Sequence, residues 1–137
     1  MIEPQLRISP CAWSEEAARV LESSTKWFPL ATVEDYRLLL EQDAEAKLLR
    51  VSQDGILAGF VIVKVEHFTA GSEGVIVAAA GRMKGADLVD LVLPALENLL
   101  AGVSSYRVTT ARAGLKRKLE RRGWMQTHSV LRKVATT

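Results

Sequence analysis

The chain has 137 residues, 48% of them hydrophobic and 25% charged, with 18 Lys and Arg against 16 Asp and Glu for a formal net charge of +2. That length suits one domain over residues 1–137 around one core, and the composition excludes disordered and fibrous classes. The small net charge does not argue for nucleic acid, the single cysteine Cys11 excludes an intrachain disulfide framework, and no apolar run approaches the ~20 residues of a membrane span.

The opening "MIEPQLRISP" lacks the basic and apolar regions of a signal peptide, so a cytoplasmic protein without a membrane partner is expected. Lys and Arg gather between Arg107 and Lys133, and acidic residues between Glu15 and Glu45. This asymmetry points either to an anionic partner for the C-terminal half or to a solvated helix face.

"LRIS" (Leu6–Ser9) alternates as a short strand and stops at Pro10. Ser14 reads as the N-cap of a helix bearing Ala17, Ala18, Val20 and Leu21. Thr32 caps a second, short helix with Tyr36, Leu39 and Leu40 on one side. Two strands follow around Asp54-Gly55, a strong hairpin signal, and the second, Ile56–Glu66, reads as buried on both faces. "TAGSEG" reads as a loop. An apolar strand, Val75–Ala80, then suits the centre of a sheet. A helix from about Ala86 to Leu100 carries Pro94 and stops at Gly102. "YRVTTA" is a strand, "GLKRKLERRGW" a short basic helix closed by Gly123, and "THSVLRKV" a last strand. The order β-α-α-β-β-β-α-β-α-β predicts an α+β domain built on one mixed sheet.

Between the central strand and its helix stands "GRMKGAD", Gly81 to Asp87. Where a strand stops and a helix starts, unpaired N–H groups and the helix dipole favour an anion. Gly81 and Gly85 let backbone approach it without a Cβ in the way, and Arg82 and Lys84 add positive charge.

This order and punctuation resemble the GNAT superfamily of N-acetyltransferases, from Leu6 to Val134 and most clearly from Leu48 onward. The family's pyrophosphate loop, [Q/R]-x-x-G-x-[G/A] after a central strand, is matched by Arg82 in the first position and Gly85 at the invariant glycine. Gly123-Trp124 stands where the family has Gly-Phe. The resemblance implies a single GNAT-like domain with helices on both faces of its sheet. It implies acetyl-CoA as cosubstrate, held at Gly81, Arg82, Met83, Lys84, Gly85, Ala86 and Asp87, with the pantetheine arm in a gap between two splayed strands. Ser104, Ser105 and Thr109 are expected to line that gap.

Two departures stand out. Asp87 replaces the small residue at the sixth loop position, and its carboxylate competes for the same N–H groups as a bound anion. The family's late-helix Tyr acid, four residues before the Gly-aromatic pair, is Leu119 here. The base candidates are Glu73, where the family often carries a glutamate, and Glu66; each is also read as a solvated edge charge. His67 and His128 read as surface rings and Cys11 as a small buried hydrophobe. Two functions follow from the resemblance. One is an acyl-CoA-dependent N-acyltransferase acting on an amine acceptor. The other is a non-catalytic GNAT-like binding or structural protein, akin to small phage-encoded members that serve as virion or assembly components. In the second, the basic helix Arg112–Arg122 docks a protein or anionic partner.

Overall fold

Alternating and continuous apolar runs divide the chain between one sheet and the helices that cover it. The computed structural model describes residues 6–25, 31–81, 88–109, 113–128, 130, 131, 133 and 135. In chain order the elements are β1 (Leu6–Pro10), α1 (Glu15–Leu21) running into a 3-10 turn (Glu22–Thr25), α2 (Val33–Gln42), β2 (Lys47–Gln53), β3 (Ile56–Phe68), β4 (Gly71–Gly81), α3 (Leu88–Leu99), β5 (Ser105–Val108) and α4 (Ala113–Arg121). The sheet has five strands in the order β1-β2-β3-β4-β5. The first four pair antiparallel, and β5 joins β4 in parallel after the α3 crossover.

Local chemistry accounts for the starts and turns. Ser14 Oγ accepts the Ala17 N–H at 3.1 Å and caps α1. The Asp35 carboxylate accepts the Thr32 N–H at 2.8 Å and fixes the entry to α2. Asp54 and Gly55 have φ of 52° and 81°, both in the left-handed region that a two-residue hairpin turn requires. At the end of α4, Gly123 has φ of 92°, and the Trp124 N–H donates to the Leu119 carbonyl at 3.0 Å while the Gly123 N–H donates to Glu120 at 3.1 Å. That pattern is a Schellman closure, which needs a residue tolerant of positive φ.

The two sheet faces carry separate cores. On one, Leu49, Val51, Val61 and Val63 pack against Val92 and Leu96 of α3 and Leu100 just after it. On the other, Leu48, Phe60, Ile62 and Ala78 pack against Ala17, Val20 and Leu21 of α1, with Tyr36, Leu39 and Leu40 of α2 at the margin. The helices therefore lie on both faces, as expected. β3 is buried without a break from Ala58 to Val63, which suits a strand covered on both sides. Leu119 anchors α4 to the core, with Leu115 half-buried one turn earlier and Lys116 and Arg117 exposed.

Two sequence expectations change. "TAGSEG" is not a loop: only Thr69 and Ala70 turn, and β4 already begins at Gly71. Register pairing with β3, from Phe68↔Gly71 onward, outweighs the loop-like Gly and Ser composition. The last strand is also absent from the described residues of "THSVLRKV", where Val130 is 56% and Leu131 94% exposed. Adjacent apolar residues fall on opposite faces of a strand, so this pair does not make the one-sided pattern that fixes a register. No described helix is long and apolar enough to cross a membrane.

Candidate active site

The site follows from how β4 parts from β5. β4 pairs with β3 along its whole length, from Gly71↔Phe68 to Gly81↔Gly59. It pairs with β5 only from Glu73↔Ser105 to Ile76↔Val108. From Val77 to Gly81 its outer edge has no strand partner among the described residues. The register with β3 shifts between Ile62 and Val63, and Val77 is the extra residue. A bulge of this kind bends a strand and increases its twist, and it lies next to Ile76, where the pairing with β5 stops. The freed edge is built from small residues, Ala78, Ala79, Ala80 and Gly81, with Ala79 and Gly81 exposed. Alternate N–H and C=O groups along such an edge can pair with an extended amide-bearing guest. The edge leads into residues 82–87, beyond which α3 is described from Leu88. Of the expected cofactor residues only Gly81 is described, and it ends β4. Arg82, Met83, Lys84, Gly85, Ala86 and Asp87 lie outside the described residues.

The two expected base candidates meet at the other end of the β4–β5 seam. Glu66 on β3 and Glu73 on β4 are direct cross-strand partners. Two carboxylates opposite each other repel unless a cation lies between them. Arg107 of β5 supplies it: one guanidinium nitrogen lies 2.9 Å from Glu66 Oε1 and the other 3.2 Å from Glu73 Oε1. Lys64 Nζ lies 3.1 Å from Glu66, and Ser105 Oγ donates to Glu73 Oε2 at 2.8 Å. The Lys64 ammonium first, then Arg107, holds the Glu66 carboxyl below the usual carboxylate range against the opposing effect of burial. A carboxyl held low in this way is a weak base.

A pH dependence follows. The Glu66 pKa is lower folded than unfolded, so its stabilisation is fully present above the ordinary value of 4.5 and is lost as pH falls through the folded pKa. The stability margin of the parent over Glu66→Gln should be constant at neutral pH and shrink in acid below that value. Thermal melts of both proteins from about pH 7 to about pH 3 measure the margin, and a margin that widens in acid contradicts the assignment.

Other groups are committed elsewhere. Ser24 Oγ donates its one proton to the Leu21 carbonyl at 2.7 Å, so at 2.9 Å the Tyr36 hydroxyl is the donor to Ser24. The Tyr106 hydroxyl donates to the Glu97 carbonyl at 3.2 Å, and its ring packs against Trp124 at 6.2 Å between centroids. Leu119, in the place of the family's Tyr acid, is buried. His67 lies 2.6 Å from Glu45 and His128 3.0 Å from Thr127 Oγ1, both exposed at the surface. Burial pushes the half-buried Cys11 thiol up, with nearby Arg50 opposing, so it is not a ready thiolate.

Ser104 and Ser105 do not line the open edge. A parallel β5 starts where β4 starts: the Ser104 N–H donates to the Ser72 carbonyl at 2.8 Å, and Ser105 pairs with Glu73. Both serines sit at the closed end of the seam, and Thr109 follows β5, exposed. Sequence reasoning passed over Lys64 and Arg107. The two-residue spacing of Lys64 and Glu66, and of Ser105 and Arg107, carries the signal that each pair shares a sheet face.

No family model and no curated protein matches the sequence. Solved structures match over nearly all of it. A ribosomal-protein-alanine N-acetyltransferase from Brucella melitensis biovar Abortus 2308 aligns with a TM-score of 0.66 at 19% identity, covering 98% of this chain and 100% of its own. An aminoglycoside N-acetyltransferase described in complex with CoA aligns with a TM-score of 0.60 at 10% identity, covering 98% and 96%. A transcriptional regulator from Bacillus halodurans C-125 aligns with a TM-score of 0.69 at 15% identity, covering 96% and 100%. At these identities the likeness shows the fold alone: a single α+β domain with the five-stranded mixed sheet and four helices of GNAT acetyltransferase structures. Nothing in these likenesses bears on a phage source or a virion role.

Proposed function

We propose that this chain is an acyl-CoA-dependent N-acyltransferase. One observation carries the proposal: β4 leaves β5 at Ile76 and runs on with a small-residue edge to Gly81, into a segment with two cations and a glycine ahead of α3. That order suits a ligand with a phosphate group at one end and an extended amide arm behind it. The N–H groups of the Arg82–Asp87 segment, with Arg82 and Lys84, would hold the pyrophosphate. The free edge from Val77 to Gly81 spans roughly 13 Å of extended chain and would pair with the pantetheine amides. The thioester then falls near the bulge, where the seam closes.

In the reaction, the amine nitrogen adds to the thioester carbonyl, the new C–N bond forms, the C–S bond breaks and coenzyme A leaves as the thiol. The amine proton goes to a base, and Glu73 is the better placed carboxylate because it lies on β4, with Arg107 as its one cationic partner among the described residues. It stands about 10 Å along the strand from the seam's end, so the proton travels through water. No tyrosine hydroxyl replaces the family's acid among the described residues, and the thiolate would take its proton from solvent.

That absence favours a second function, a GNAT-like domain that binds without transferring. Calorimetric titration with acetyl-CoA, followed by thiol release with a panel of primary amines, separates the two. Binding with thiol release supports the enzyme. Binding without release from any amine supports the binding domain. No heat at millimolar acetyl-CoA overturns the cofactor assignment and the acyltransferase with it.

A further inference from the structure

Arg107 reaches from β5 across β4 to β3 and touches a carboxylate on each. The arrangement has a structural use, since β5 is only four residues long and its strand pairing stops at Val108. A structural staple, however, needs only one ion pair. Here one planar guanidinium divides its two ends between two opposed carboxylates, while Ser105, two residues earlier on the same face, holds the second oxygen of Glu73. Glu73 is thereby fixed from two directions by one strand.

We propose that Arg107 is a positioning residue: it keeps Glu66 and Glu73 side by side as paired carboxylates and so holds Glu73 ready to accept the acceptor amine's proton. This rests on the acyltransferase function above. The charged and titratable groups facing the pair are Lys64 and Glu66 from β3, Glu73 from β4 and Arg107 from β5, among the described residues. Without the guanidinium, two carboxylates stand opposite each other with only Lys64 nearby. One of them then keeps its proton to higher pH, because like charges at one site do not ionise together. A carboxyl that keeps its proton to higher pH accepts none until that pH is passed, which moves the acid limb of the reaction.

The test compares the parent with Arg107→Met and Arg107→Lys. Carbon-13 NMR of the glutamate carboxyls follows the Glu66 and Glu73 titrations directly, whether or not an activity is found, and circular dichroism confirms the fold. In Arg107→Met one carboxyl of the pair should titrate about one pH unit or more higher than in the parent. The acid limb of the pH–rate profile for thiol release should move up by the same amount, with the KM for acetyl-CoA little changed. Arg107→Lys should restore part of both shifts, since a lysine keeps the charge but cannot bridge both carboxylates. Unchanged NMR titrations in Arg107→Met overturn the proposal. So does an NMR shift with an unmoved acid limb, which makes Arg107 a staple and neither glutamate a base. A parent that binds acetyl-CoA yet releases no thiol refutes the acyltransferase function instead, and the proposal falls with it.

Discussion

Gly85→Val should lower coenzyme A affinity at least a hundredfold, about 2.8 kcal/mol at 1.4 kcal/mol per tenfold, without lowering the melting temperature of the free protein. The glycine stands at the invariant position of the pyrophosphate-loop pattern. A branched Cβ there keeps the phosphate from the backbone donors, and these donors, not side chains, supply most of such a site. The residue lies outside the described segments, so the expectation comes from the order of strand, glycines, cations and helix along the chain. Paired calorimetric titrations of parent and variant decide it. A variant that binds coenzyme A as tightly as the parent would place the pyrophosphate elsewhere.

Phe60→Ala should be the most destabilising single truncation in the sheet. The ring is 2% exposed, at the middle of β3, and belongs to the cluster that holds α1 on the sheet. Removing a buried aromatic side chain costs about 3–5 kcal/mol, from lost transfer energy and the cavity left behind. Domains of this size are stable by about 5–15 kcal/mol, so the loss is a large share of the total. The melting temperature should fall by roughly 10–20 °C. Urea unfolding should show an earlier midpoint with an unchanged slope, the mark of a stability change without a change in cooperativity. A loss below about 1 kcal/mol would mean that α1 is not seated on Phe60 as described.

Much of the fold was legible because its signals are local. Asp54-Gly55 dictates a hairpin whatever surrounds it, Ser14 announces a helix start through its own side chain, and at Thr32 the nearby Asp35 carboxylate takes the backbone N–H. The continuous apolar run of β3 marks a strand covered on both faces. Long-range pairing was less legible. Glu73 belongs to a strand because Glu66 sits opposite it, and nothing within "TAGSEG" itself reveals that partner. The segment after Gly123 misled in the opposite direction: its residues favour strands, but Val130 and Leu131 are adjacent and exposed. At the site, strand-end position and the family resemblance singled out Glu66 and Glu73. Only the parallel register of β5 places Arg107 between them, and sends Ser104 and Ser105 to the closed end of the seam. The loop from Arg82 to Asp87 rests on sequence pattern alone.

Leu119 bears on how such a domain can evolve. The side chain is 5% exposed and its carbonyl accepts the Trp124 N–H that closes α4, so one position serves both the core and the helix end. A tyrosine there would have to bury its hydroxyl without a partner or push α4 outward, and overpacking of this kind costs about 1–3 kcal/mol before any catalytic benefit appears. For the proposed acyltransferase, a proton donor at position 119 is therefore not one substitution away. A lineage that came to need faster thiolate protonation would first have to gather stability elsewhere, or recruit a donor from a surface where a new hydroxyl disturbs nothing.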